Sequence, residues 1–226
     1  LIAFTSKFNS SNLKKRIIML NTSKSESQMR FKKWILAPVG ISLFMGIAIV
    51  NGQNNSDKDI GSLKDQFVVV VDAGHGGSDN GAKATDNELE KDINLAMIKK
   101  LKETGKLHPS LKIIPTREDD NFISLNDRVK KAEDVKADLF ISIHTDSKED
   151  NHQLSGINCY TSKKSNYSTQ SDEFGKALIN ELKQIEGIKT TNAPQQADFF
   201  VLKNSSCPAV LLSIGYLSNE SDLTFI

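Results

Sequence analysis

The feature that most constrains the fold of this chain is an alternation of short apolar runs with helical patterns after residue 66. The first run, Phe67–Asp72, is almost continuously apolar, which is typical of a strand buried on both faces. Residues 88–103 then carry apolar side chains at helical spacing, and a second apolar run covers residues 138–143. This alternation predicts an α/β fold, a three-layer sandwich with a largely parallel mixed sheet and helices on both faces.

The remaining elements follow the same logic within about 160 residues, a length that suits one domain with a sizeable core. Ser124 is predicted to cap a helix over residues 124–135, because Asp127 follows it by three positions. A second amphipathic pattern predicts a helix over residues 171–185. Further strands are predicted at residues 111–115, 156–161, 199–202 and 209–214.

Residues 34–50 form an uncharged apolar segment, which begins at Trp34. Their number is at the short end of the roughly 17–25 residues that a transmembrane helix needs. Basic residues dominate positions 1–33, so the positive-inside rule places that segment in the cytoplasm and the rest of the chain outside. A cleaved signal peptide and a buried core helix stay open as alternatives, although Ala48-Ile49-Val50 is a poor cleavage site.

The polar residues 51–65 read as a linker, which leaves residues 66–226 as the folded domain. A net charge of +1 gives no electrostatic argument for nucleic-acid binding. Cys159 and Cys207 do not form a CxxC motif, and we expect two unpaired, mostly buried thiols.

Three residues that suit a catalytic zinc ion lie at or near the ends of predicted elements: His75, Glu90 and His144. Ligands of open α/β sheets gather at the carboxyl ends of strands, where His75 and His144 would meet. Asp72 and Asp146 are candidate partners that orient a ligand imidazole. A metal held there would lower the pKa of its bound water and polarise a carbonyl group.

Each of these residues also has an ordinary structural interpretation. A single histidine after a strand is more often structural, and Glu90 could simply favour an early helical turn through the helix dipole. The glycine-rich turn at residues 74–77 could be a phosphate loop, but it lacks the lysine of a Walker motif and the GxGxxG spacing.

Taken together, residues 67–226 resemble the zinc-dependent N-acetylmuramoyl-L-alanine amidases of bacterial cell walls. The matching motifs occur in family order: Val-Asp-Ala-Gly-His-Gly-Gly (71–77), Glu-Lys-Asp-Ile-Asn-Leu (90–95), Thr116-Arg117 with Asp120, Ser124-Leu125 with Arg128-Val129, residues 137–144, Phe200-Val201-Leu202, residues 208–212 and Gly215-Tyr216-Leu217-Ser218-Asn219.

The resemblance implies that His75, Glu90 and His144 bind zinc. It also implies cleavage of the amide bond between N-acetylmuramic acid and L-alanine in peptidoglycan. The domain would then lie in the periplasm of a bacterium, held at the inner membrane by residues 34–50. Arg117 and Arg128 could order loops through salt bridges, and Arg117 is also a candidate substrate residue.

The sequence departs from the family at Ser213. The family carries a glutamate two residues before the glycine of its Gly-aromatic-Leu-Ser-Asn motif, as general base and acid, and here Ser213 holds that position. Serine has no pKa near neutrality, and losing a general base or acid typically costs about 10²–10⁴-fold in rate. A peptidoglycan-binding domain without catalysis is therefore the alternative function, and another zinc hydrolase or a structural domain remains a third.

The N-terminal part carries a second resemblance. Residues 12–21 and 34–38 resemble the end of the membrane metallopeptidase region of beta-lactam sensor-transducer proteins, which implies that a sensor would precede the apolar segment. The chain begins with Leu1 and ends at Ile226, and we expect it to be a fragment at both ends.

Overall fold

A computed structural model describes residues 66–84, 88–148 and 150–226 of this chain. Its strands are β1 (Phe67–Ala73), β2 (Leu111–Pro115), β3 (Leu139–Asp146), β4 (Ile157–Thr161), β5 (Gln195–Gln196) and β6 (Ala209–Tyr216). Its helices are α1 (Glu90–Gly105), α2 (Leu125–Asp134), α3 (Ser168–Leu182), α4 (Phe200–Asn204) and α5 (Glu220–Phe225).

The six strands form one mixed sheet in the order β2-β1-β3-β6-β4-β5. Strands β2, β1, β3 and β6 run parallel, whereas β4 is antiparallel to β6 and parallel to β5. In the register, Ala73 lies opposite Ile143, and His144 lies opposite Ser213. The carboxyl ends of β1, β3 and β6 therefore meet at one edge of the sheet, as the alternation of elements predicts.

Two separate apolar cores cover the two faces of the sheet. One core joins the strands to α1 and α3, with Ile98 and Leu178 nearly inaccessible to solvent. The other core joins the strands to α2 and α4 through Ala132, Val201 and Leu202. Burial of a Leu, Val or Ile side chain contributes roughly 1.5–3 kcal/mol, so both helical layers are held mainly by these contacts. The predicted three-layer α/β architecture is confirmed.

On the face of the sheet that carries α2 and α4, the side chains change from apolar to polar along the strands. Apolar side chains occupy the first half of the strands on this face, for example Phe140 in β3 and Leu211 in β6. Side chains of one strand alternate between faces, so Ser142 and His144 follow Phe140 on this same face. Ser213 follows Leu211 in β6. Ser142, His144 and Ser213 therefore form a polar floor at the carboxyl ends of the strands, next to the apolar core on this face.

One predicted element is wrong in type. Residues 199–202 were expected to form a strand, but Phe200–Asn204 forms helix α4. A run of four apolar residues has too little length to distinguish a strand from one helical turn, and here packing of Val201 and Leu202 on the sheet decides the conformation. Strand β5 and helix α5 lie outside the predicted elements. Asn219 caps α5, because its side-chain oxygen accepts from the backbone N–H groups of Ser221 and Asp222.

Boundaries elsewhere shift by a few residues. The capping role of Ser124 is confirmed, because its side chain accepts from the backbone N–H group of Asp127. Cys159 and Cys207 are unpaired and buried, as expected, and burial raises the pKa of Cys159 to about 12 and that of Cys207 to about 11. Both therefore remain thiols at neutral pH.

No helix within the described ranges is long and apolar enough to cross a membrane. The segments 1–33, 34–50 and 51–65 lie outside the described residues. The predicted cytoplasmic segment, membrane helix and linker therefore stay predictions.

Candidate metal centre

His75, Glu90 and His144 come together at the carboxyl edge of the sheet. One potential ligand atom from each residue lies within 4.8 Å of the others. Glu90 stands between the two imidazoles, with 3.2 Å from its Oε2 to Nε2 of His75 and 2.9 Å from its Oε1 to Nδ1 of His144. The two rings are 5.0 Å apart and meet edge to face. Two imidazoles and a carboxylate are donor types that proteins use to hold a metal ion such as zinc.

The chain positions His75 through an unusual backbone conformation. His75 has a φ of 62°, which is rare for a residue with a side chain. The preceding residue, Gly74, has no room for a side chain. A Cβ atom at this position would lie 2.3 Å from Cε1 of the His144 ring. The glycine thus allows the loop after β1 to pass directly beside the histidine at the end of β3.

Two buried arginines hold this loop by its carbonyl groups. Arg128 donates to the carbonyl oxygens of Ala73 at 2.7 Å and His75 at 2.8 Å, and it pairs with Asp72 at 2.6 Å. Arg117 donates to the carbonyl oxygens of Ala73 and Gly74, both at 3.0 Å. Their hydrogen bonds hold the backbone from Ala73 to His75 in place.

Glu90 is a buried carboxylate at the first position of α1, where the helix dipole favours a negative charge. Its oxygens accept from the backbone N–H groups of Ala82 at 2.8 Å and Thr145 at 3.1 Å. Burial by itself would raise the pKa of Glu90, but hydrogen bonds with His144, His75 and Ala82 outweigh it and lower the pKa well below its ordinary value. Glu90 is therefore ionised, as a metal ligand requires.

Asp79 is a contact that sequence reasoning did not anticipate. A tight turn pairs the backbones of Gly76 and Asp79 and brings Oδ2 of Asp79 to 2.8 Å from Nδ1 of His75. The two atoms lie within ion-pair distance, but Nδ1 lacks the alignment of a hydrogen bond. Burial opposes protonation of His75, yet Glu90 and Asp79 outweigh burial and raise its pKa. Asp79 is thus a carboxylate beside the outer nitrogen of a candidate ligand.

The other three predicted site residues, Asp72, Arg117 and Asp146, each have different surroundings. The carboxylate of Asp72 accepts from Thr116, Arg128 and Ser142, so it fixes the Arg128 side chain. Arg117 is 4% exposed and binds backbone carbonyls, which places it among the structural residues of the loop. Asp146 lines the site, and burial together with the charge of Glu90 raises its pKa.

Ser213 lies opposite His144 on the neighbouring strand β6. Its side chain is 1% exposed, and its hydroxyl faces the carboxylate of Asp146. Ser213 thus presents a buried hydroxyl beside the candidate metal ligands.

These groups line an open cavity of about 680 Å³. The polar part of its lining includes His75, Glu90, His144 and Ser213, together with Asp79 and Asp146. The apolar part includes Phe122, Ile123, Leu125 and residues 199–201. The size and the mixed lining are those of a site for a substantial organic ligand.

Comparison with known proteins agrees with this geometry. A sequence model of a family described as N-acetylmuramoyl-L-alanine amidase matches residues 69–226. The uncharacterized protein YqiI of Bacillus subtilis is 36% identical over 161 residues, covering 68% of this chain and 72% of YqiI. The probable cell wall amidase LytH of Staphylococcus epidermidis is 35% identical over 161 residues; the match covers 70% of this chain but only 50% of LytH.

Solved structures show the same likeness. The N-acetylmuramoyl-L-alanine amidase AmiC2 of Nostoc punctiforme is 34% identical with a TM-score of 0.61, over 72% of this chain and 86% of that one. An N-acetylmuramoyl-L-alanine amidase of Clostridium difficile 630 is 28% identical with a TM-score of 0.64, over 71% and 85% of the two chains.

Proposed function

Because this chain belongs to the N-acetylmuramoyl-L-alanine amidase family, we propose that its domain of residues 66–226 binds zinc and hydrolyses peptidoglycan. The bond cleaved would be the amide between N-acetylmuramic acid and L-alanine. The observation that carries the proposal is the convergence of His75, Glu90 and His144 within 4.8 Å on the floor of an open cavity.

The residues present fit a zinc ion. The site offers two imidazoles and a carboxylate that its surroundings keep ionised, which is the donor set that zinc prefers in hydrolases. Zinc held there would supply a Lewis acid for the scissile carbonyl and for water. The protein itself would supply the fixed position of His75, through Arg117 and Arg128, and a cavity wide enough for a branched polymer.

Ser213 determines how far catalysis can proceed. In the family that the chain resembles, a glutamate occupies this position. The serine hydroxyl can exchange hydrogen bonds, but it cannot act as a base near neutral pH. We infer an impaired amidase, slower by about 10²–10⁴-fold than a chain with the carboxylate. A serine in place of a carboxylate, beside an intact ligand set, also favours a second candidate function, a peptidoglycan-binding domain that keeps the metal but lacks the chemistry.

The test is turnover of purified muropeptides by the zinc-loaded full chain and two variants. Ser213→Glu adds a carboxylate beside His144, whereas Ser213→Gln adds similar bulk without a titratable group. We expect a rate gain of about 10²-fold or more in Ser213→Glu and none in Ser213→Gln. Zinc content and thermal unfolding of all three chains provide the control for folding.

The outcomes separate the two functions. Slow turnover by the natural chain together with a gain in Ser213→Glu supports the impaired amidase. No turnover in the natural chain or in Ser213→Glu, with zinc retained, supports the binding domain.

The substrate and the apolar segment suggest where the protein works. We propose that residues 34–50 anchor it in the bacterial inner membrane and that residues 66–226 face the peptidoglycan in the periplasm. Protease added to spheroplasts should remove the domain and leave a short membrane-bound remnant; a fully protected domain would contradict this placement.

A further inference from the structure

Large exposed apolar side chains are concentrated in the lining of the candidate cavity. Five large hydrophobic residues in the described part of the chain are strongly exposed, and four of them line this cavity. They are Phe122, Leu125, Phe199 and Phe200, with exposed fractions of 57%, 53%, 43% and 38%. We call these four residues the apolar wall. Contiguous exposed apolar surface beside a polar site usually marks a ligand or partner.

The fold holds the apolar wall in a fixed shape. Leu125 and Phe200 are the first residues of α2 and α4, which pack against each other on the same face of the sheet. The Phe199 ring meets Tyr160 edge to face at 5.5 Å. Phe122 lies against the loop of His75, because a Cβ atom on Gly77 would be 2.7 Å from the Phe122 nitrogen. Preorganised rings lose little conformational freedom on binding.

The charges around the cavity decide which part of the substrate suits this wall. Three carboxylates line the same cavity, those of Asp79, Glu90 and Asp146. Among the described lining residues the one cation is Arg128, and its guanidinium is committed to Asp72 and to backbone carbonyls. Apart from the metal ion that the proposed function adds at His75, Glu90 and His144, no cation of the described lining is therefore available for an anionic ligand at this wall.

The two halves of the proposed substrate differ in their charge. The stem peptide carries free carboxylates, whereas the glycan half is neutral because its lactyl carboxyl group is part of the scissile amide. The axial C–H face of a sugar ring is apolar and packs well against the face of a phenyl ring. Resting on the proposed function, we propose that the apolar wall is the subsite that binds the neutral muramoyl glycan, with Phe199 and Phe122 as its platform.

The test measures binding without turnover. Calorimetric titration of the full chain, before and after treatment with a chelator, would use two probes. One is a stem-free tetrasaccharide of alternating N-acetylglucosamine and N-acetylmuramic acid, with its lactyl carboxyls capped as methylamides. The other is the free stem pentapeptide. The variants are Phe199→Ala, Phe199→Tyr and Leu107→Ala. Leu107 is the matched control, since it is 76% exposed but lies away from the cavity.

We expect Phe199→Ala to bind the tetrasaccharide about fivefold to tenfold more weakly than the natural chain, with or without metal. Phe199→Tyr should keep most of the affinity because it retains the ring, and Leu107→Ala should match the natural chain. The pentapeptide should bind all variants alike. Thermal unfolding would verify that each variant is folded.

Three results would overturn the subsite. They are unchanged tetrasaccharide binding in Phe199→Ala, a selective loss of pentapeptide binding, and a Phe199-dependent self-association without glycan binding. Failure of the proposed function has a different signature. In that case the chain binds no zinc or cleaves nothing, while tetrasaccharide binding still depends on Phe199.

Discussion

At the scale of single residues, the sequence reveals the role of some side chains of the candidate centre but not of others. His75, Glu90 and His144 were predictable because each stands at or near the end of a predicted element. Asp79 was not, because its approach to His75 requires the turn that pairs it with Gly76. Gly81 is a second residue whose role the sequence alone does not reveal. A Cβ atom at Gly81 would lie 2.5 Å from Oε2 of Glu90 and 2.6 Å from Cδ2 of His75.

Gly81→Ala therefore tests how tightly the ligands are packed. We expect the substitution to displace Glu90 and His75 and to weaken zinc binding by about 10–100-fold, the usual effect of disturbing a ligand's support. Gly187→Ala is the control, because Gly187 also has a positive φ but has no atom within 4 Å of an added Cβ. Competition with a fluorescent chelator measures both affinities; equal affinities in the two variants would contradict this packing.

At the scale of elements, α2 does more than cover the sheet. Its Arg128 side chain ties α2 to β1 through Asp72 and to the loop that carries His75. Sequence periodicity predicted the helix and its Ser124 cap, because both are local features. It could not predict the Arg128–Asp72 contact, which joins residues 56 positions apart. It also assigned α4 to a strand, since the packing that makes Val201 and Leu202 helical is tertiary.

Arg128→Met tests this link between α2 and the loop that carries His75. Both partners of the Arg128–Asp72 pair are almost fully buried, so removal of the cation leaves an uncompensated carboxylate, which typically costs about 3–5 kcal/mol. We expect a clearly lower midpoint of thermal unfolding. Lys130→Met is the control in the same helix, because Lys130 pairs with Asp134 at the exposed surface. A similar midpoint in both variants would show that the buried pair is not important for stability.

At the scale of the whole molecule, the order of strands creates the site. Three parallel neighbours, β1, β3 and β6, end at one edge and deliver His75, His144 and Ser213 to one face. The alternation of elements was sufficient to predict a parallel sheet with ligands at this edge. It could not predict the apolar wall, because Phe122 and Phe199 lie in separate loops that only the packing of α2 against α4 brings together. The family match from residue 69 to residue 226 covers this whole unit.

The most direct test of the account is the zinc content of the purified full chain, measured by mass spectrometry alongside His75→Ala and His152→Ala. His152 is the control, because it is exposed and its Nδ1 contacts the carbonyl oxygen of Ser218 outside the cavity. The account predicts one zinc ion per chain in the natural protein and in His152→Ala, and none in His75→Ala. A folded natural chain that binds no zinc, or a His75→Ala variant that keeps it, would contradict the assignment of the centre.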